Sequence, residues 1–81
     1  MDADFLAIKS LFEAGNVKRM RLLEEQAPTK MAKNLGLNYN SYLDKLSSPE
    51  KFSIKHIIKM ASLCKLDPNI IFGVILKEHK G

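Results

Sequence analysis

Apolar residues recur along this chain at the three- and four-residue spacing that marks one face of an α-helix, in six short runs. Phe5, Ile8, Leu11 and Phe12 predict a first helix over about 4–14, ended at Gly15. Asn16 is a suitable cap for a second helix over about 17–26, with Val17, Met20 and Leu23 as its stripe. Pro28 fits the first turn of a third helix, 28–35, because it has no N–H to leave unsatisfied there. Met31, Ala32 and Leu35 face inward and Gly36 stops it. Its cap is either Ala27, a poor one, or Thr29, which shortens the helix. Asn38 caps a fourth helix, 39–47, whose apolar positions are Tyr39, Tyr42, Leu43 and Leu46, and Ser47-Ser48-Pro49 ends it. Ser53 caps a fifth, 54–65, with Ile54, Ile57, Ile58, Ala61 and Cys64 as the cleanest stripe in the chain. Asp67-Pro68 opens a sixth, 68–78, carrying Ile71, Val74 and Ile75 on one face and Ile70, Phe72 and Leu76 beside it. That last helix is apolar nearly all round, which points to partial cover by a partner chain.

No segment alternates apolar and polar residues over five or more positions, so no strand is predicted. Tight connections and short helices imply an all-α fold class, a compact orthogonal domain of five to six helices, one domain across all 81 residues. A chain of this size buries only about 60–65% of the surface its unfolded form exposes, which leaves little room for an enclosed active site beside the core.

Charge adds a direction. The net charge of +4 is concentrated in residues 17–65, which carry ten Lys or Arg against four Asp or Glu, while residues 1–16 are net −2 and 66–81 are neutral. A basic middle is compatible with a polyanion, although Lys51, Lys55 and Lys59 also fit a solvated face opposite the Ile stripe. With a single cysteine, Cys64, no intrachain disulfide can form, and a reducing compartment is implied. Cys64 reads as a buried small apolar residue. No signal peptide and no apolar run of about 20 residues is found, so the expected location is cytoplasmic and away from membranes. His56 and His79 are isolated, so no metal site is expected. No nucleophile–base arrangement or phosphate-cradling glycine loop occurs, so neither catalysis nor a cofactor nor a small-molecule substrate is expected.

The segment Thr29-Lys-Met-Ala-Lys-Asn-Leu-Gly-Leu-Asn-Tyr-Asn-Ser-Tyr-Leu-Asp-Lys-Leu resembles the helix-turn-helix of the lambda-repressor-like (Cro/C1, or XRE) family. In that family a small residue, here Ala32, lies where two helices cross, and a glycine four positions later, here Gly36, makes the turn. The stretch Phe52-Ser-Ile-Lys-His-Ile-Ile-Lys-Met-Ala-Ser-Leu-Cys-Lys-Leu-Asp-Pro-Asn-Ile-Ile-Phe is similar to the family's fourth and fifth helices. The resemblance covers about residues 17–76 and leaves the helix at 4–14 as an addition. It departs from the family at one point. The inward recognition-helix positions, six and nine after the glycine, are Tyr42 and Lys45, whereas the better apolar pair is Leu43 and Leu46. Either the turn is one residue longer, or Tyr42 and Leu46 point inward. The choice rotates the helix by about 100°.

The resemblance implies sequence-specific binding of double-stranded DNA by a small transcriptional regulator of phage or mobile-element type, without an effector domain and acting as a homodimer. Its recognition helix would enter the major groove by its N-terminal end. The residues implied in base readout are Tyr39, Asn40, Ser41, Tyr42 and Lys45. Asn40 suits adenine N6 and N7, and Asp44 is repelled by phosphate unless it accepts from cytosine. Phosphate contacts fall to Thr29, Lys30, Lys33, Asn38, Lys51 and Lys55. Asn38 also has a competing role as helix cap. A protein-interaction module of the same fold, antitoxin-like or adaptor, is the alternative.

Overall fold

The computed structural model describes residues 1–80 and is helical throughout, with no strand among the described residues. Five α-helices carry the fold: α1 (Ala3–Glu13), α2 (Pro28–Leu35), α3 (Tyr39–Ser47), α4 (Ile54–Cys64) and α5 (Pro68–Lys80). Two 3-10 helices, Met20–Glu25 and Pro49–Lys51, connect them. No helix of the described residues is long and apolar enough to cross a membrane.

Side-chain caps set most of the helix starts. The Asp2 carboxylate accepts from the amides of Asp4 and Phe5, Asn38 Oδ1 from Ser41 at 2.7 Å, Ser53 Oγ from His56 at 3.1 Å, and Asp67 Oδ1 from Asn69 at 2.9 Å. The start of α2 differs. Ala27 occupies the cap position in a left-handed conformation, φ +48°, and no side chain bonds the free amides behind it. Its far end closes on Gly36, φ +73°, where the Leu37 amide reaches back to the Ala32 carbonyl at 2.9 Å. A side chain at Gly36 would strain that turn.

Three expectations are corrected. The stretch 17–26 does not form an α-helix capped by Asn16. Arg19 is extended and a 3-10 helix follows it. Within that turn Met20 and Leu23 are three apart, and in a 3-10 helix residues three apart stack on one face; Val17 precedes the extended Arg19 and lies outside the turn. All three are buried. Met20, the first residue of that turn, donates its amide to Glu78 Oε1 of α5 at 2.9 Å. Second, the buried face of α4 is Ile57, Met60, Ala61 and Cys64, and Ile54 and Ile58 stay 67% and 52% exposed. The apolar arc of α4 is wider than the surface α1, α2 and α5 cover. Third, α5 runs two residues past 78, to Lys80.

A single core unites all five α-helices, with α4 packed against α1, α2 and α5 at its centre. α1 supplies Phe5, Ile8 and Phe12 to that core, so it is built into the fold rather than appended to it.

Burial acts on two ionisable groups of the core. It pushes the Cys64 thiol from its usual 9.0 up to about 11. It raises the Tyr42 phenol further, with Cys64 adding to the shift. In both cases the folded state holds the proton more tightly than the unfolded one. The Cys64 contribution is whole below about pH 9 and is lost as pH climbs towards about 11, and the Tyr42 contribution is whole below about pH 10 and is lost above it. The melting temperature is therefore expected to fall steeply from about pH 9 upward, and Cys64→Ala to blunt the onset. A melting temperature flat to about pH 10.5 in the parent protein would contradict the assigned burial.

Candidate nucleic-acid interface

α2 and α3 form a helix-turn-helix joined by three residues, Gly36, Leu37 and Asn38. Ala32 is 2% exposed at their junction and Leu35 is buried beside it. Tyr42 and Leu46 are both fully buried, whereas Leu43 is only partly so. The helix thus turns Tyr42 and Leu46 inward, with no extra residue in the turn. The Tyr42 ring meets Phe52 edge-on, centroids 6.2 Å apart.

This orientation corrects one assignment. Tyr42 has no surface to offer a base, because it fills the core beneath α3. The remaining residues distribute themselves around the helix. Asn40, Asp44 and Ser47, at i, i+4 and i+7, form the exposed outer strip. Tyr39 is 46% exposed at the N-terminal end of the strip. Ser41 and Lys45 sit on its flank, half-buried. Asn38 is occupied as the cap of α3, with its Oδ1 engaged by Ser41.

Of the basic residues expected at phosphate, Lys33 and Lys55 are exposed and make no ion pair among the described residues, and Thr29 is exposed beside the uncapped amides of α2. Lys30 and Lys51 are different. The Lys30 ammonium bonds Asp2 and, at 3.1 Å, Asp4, and stands 5.4 Å from the centroid of the Phe5 ring. Asp2 is held below the ordinary carboxylate range, first by Lys30 and then by the amides it caps, and Lys30 is raised in turn by Asp2 and Asp4. Lys51 reaches Asp44 Oδ2 at 3.1 Å. That bridge offsets the one negative charge on the outer strip of α3.

Sequence reasoning missed these carboxylate partners. The acidic N-terminus was visible, but its placement on a lysine 26 and 28 residues away was not. No family model matches the chain, and neither does any curated protein or solved structure.

Proposed function

We propose that the chain is a sequence-specific double-stranded DNA-binding protein, a small transcriptional regulator similar to the lambda-repressor-like (XRE) family. The observation that carries the reading is the exposed N-terminal end of α3, with Tyr39 and Asn40 open above a buried Tyr42. A rod of this kind fits a major groove about 12 Å wide. The open amide end of α2, with Thr29 exposed beside it, and the unpaired Lys33 and Lys55 supply phosphate contacts. In this reading base readout rests on Tyr39, Asn40, Ser41 and Lys45, the compartment is the cytoplasm, and two copies engage paired half-sites.

Fluorescence anisotropy with a random duplex at low salt tests the reading, followed by selection of bound duplexes from a random pool. Salt-sensitive binding that sharpens to one sequence is the expected result. Lys33→Gln and Lys55→Gln are each expected to flatten the plot of log affinity against log salt by about 0.9. Lys30→Gln and Lys51→Gln change it less, because phosphate must displace Asp2, Asp4 or Asp44 from those ammonium groups. Unchanged slopes for Lys33 and Lys55 would remove them from the interface.

The second reading, a protein-interaction module of the same fold, is favoured by those intramolecular pairs. Two of the six polar or basic groups assigned to phosphate already have carboxylate partners. Absence of any salt-sensitive binding to duplex would decide for it.

A further inference from the structure

A second surface lies away from the N-terminal end of α3. It is a groove of about 530 Å³ between α5 and the connection from α1 to the first 3-10 helix. Its apolar floor comes from Val17, Ile70 and Val74, and its walls carry Lys18, Arg19 and Lys77. None of these three cations makes an ion pair among the described residues. The one carboxylate at the groove, Glu78, is already engaged by the Met20 amide. Glu78 and Ile75 also line a hollow with Ser47 and Ser48, at the C-terminal end of α3. The groove therefore flanks the end of α3 opposite Asn40.

Gly73 is the feature the fold does not explain. It sits inside α5, where glycine is less favourable than alanine, in ordinary helical backbone with no positive φ. A Cβ built on it meets nothing within 4 Å, so no internal packing demands its absence. It opens onto the groove. A glycine there lets an incoming backbone approach the helix closely.

We propose that this groove docks an acidic amphipathic segment of a partner protein, with apolar side chains on Val17, Ile70 and Val74 and carboxylates against Lys18, Arg19 and Lys77. Charge complementarity selects this occupant. A second copy seated groove to groove would set the same three cations against themselves, and a phosphate backbone would engage only the cationic walls and leave the apolar floor uncovered. The groove-lining stretch of α5, Asn69 to Glu78, is about 15 Å long and matches two to three turns of a docked helix.

The test uses the full chain, labelled with ¹⁵N, and a fluorescent helical peptide of about four turns carrying Leu at i, i+3, i+4 and i+7 among Glu residues. The controls are the same peptide with Gln for Glu, a Glu peptide without Leu, and a duplex DNA. The Leu/Glu peptide is expected to bind and to shift the amide signals of Val17, Arg19, Ile70 and Gly73. Gly73→Leu is expected to raise the melting temperature and weaken binding at least about tenfold, since it fills the groove while improving helix propensity. Lys18→Glu with Lys77→Glu is expected to weaken it by a similar factor with the fold intact. The proposal is overturned if the Leu/Glu peptide does not bind, if either variant binds it as well as the parent does, or if the two peptide controls bind equally well. It is likewise overturned if the duplex shifts the groove signals, or if the chain self-associates in a way Gly73→Leu abolishes. The peptide-binding readouts do not depend on whether α3 reads DNA.

Discussion

Tyr42→Ala is expected to destabilise the protein by about 3–5 kcal/mol, a large part of the roughly 4–12 kcal/mol that a domain of this length holds. Tyr42 is the largest of the fully buried side chains, and it lies where the under-surface of α3 meets Phe52. Removing the ring leaves a cavity bounded by α3 and the segment entering α4, and short helices cannot close over it without losing their mutual packing. The companion change is more informative. The Tyr42 hydroxyl is buried and meets no hydrogen-bond partner among the described residues. Tyr42→Phe keeps the ring and its edge contact while removing an unsatisfied polar group, so it is expected to raise stability by about 1 kcal/mol. It also removes one of the two groups behind the alkaline loss. Urea unfolding of the three proteins checks the order Phe above Tyr above Ala. DNA affinity of the Phe variant should match the parent, and a selective loss of affinity would return Tyr42 to the reading surface.

The same residue shows what could be read in advance. The spans of α2 and α3 were legible because local signals agree at both ends: Pro28 at a first turn, Gly36 in a left-handed turn, Asn38 as a cap. The rotation of α3 was not legible. Tyr42 and Leu43 are adjacent apolar residues, and periodicity admits either one inward. Three-dimensional packing decided it, because Tyr42 and Leu46 lie one turn apart over the core while Leu43 lies 100° round from Tyr42. The stripe at Val17, Met20 and Leu23 misled for a related reason: a spacing of three at Met20 and Leu23 serves both helix types, and Val17 reaches the core from ahead of the extended Arg19. Long-range electrostatics were beyond reach altogether. Lys30 looked like a phosphate ligand from its place near the start of α2, and only the packing of both α1 and α2 on α4 brings Asp2 and Asp4 onto it.

If the chain reads DNA as proposed, that rotation places the weight of sequence recognition on Asn40. It is the second residue of α3, exposed, and heads the outer strip with Asp44 one turn behind it. A carboxamide there presents a donor and an acceptor together, the pair that adenine N6 and N7 require. Asn40→Ala is expected to cost about 1–3 kcal/mol at the preferred duplex, a loss of about 5- to 150-fold, with no fall in melting temperature because the side chain supports no other group and alanine favours the helix. Affinity for a scrambled duplex should hold, since phosphate contacts carry that term. Anisotropy titrations against both duplexes measure the difference directly. Equal loss on both would assign Asn40 to the backbone, and no loss on either would take α3 out of the groove. Asp44→Asn sharpens the result. It frees Lys51 from its 3.1 Å bridge and removes the negative charge from the strip, so non-specific affinity should rise. Whether specific affinity rises with it reports on cytosine: a carboxylate that accepts from a base is missed at its own site and nowhere else.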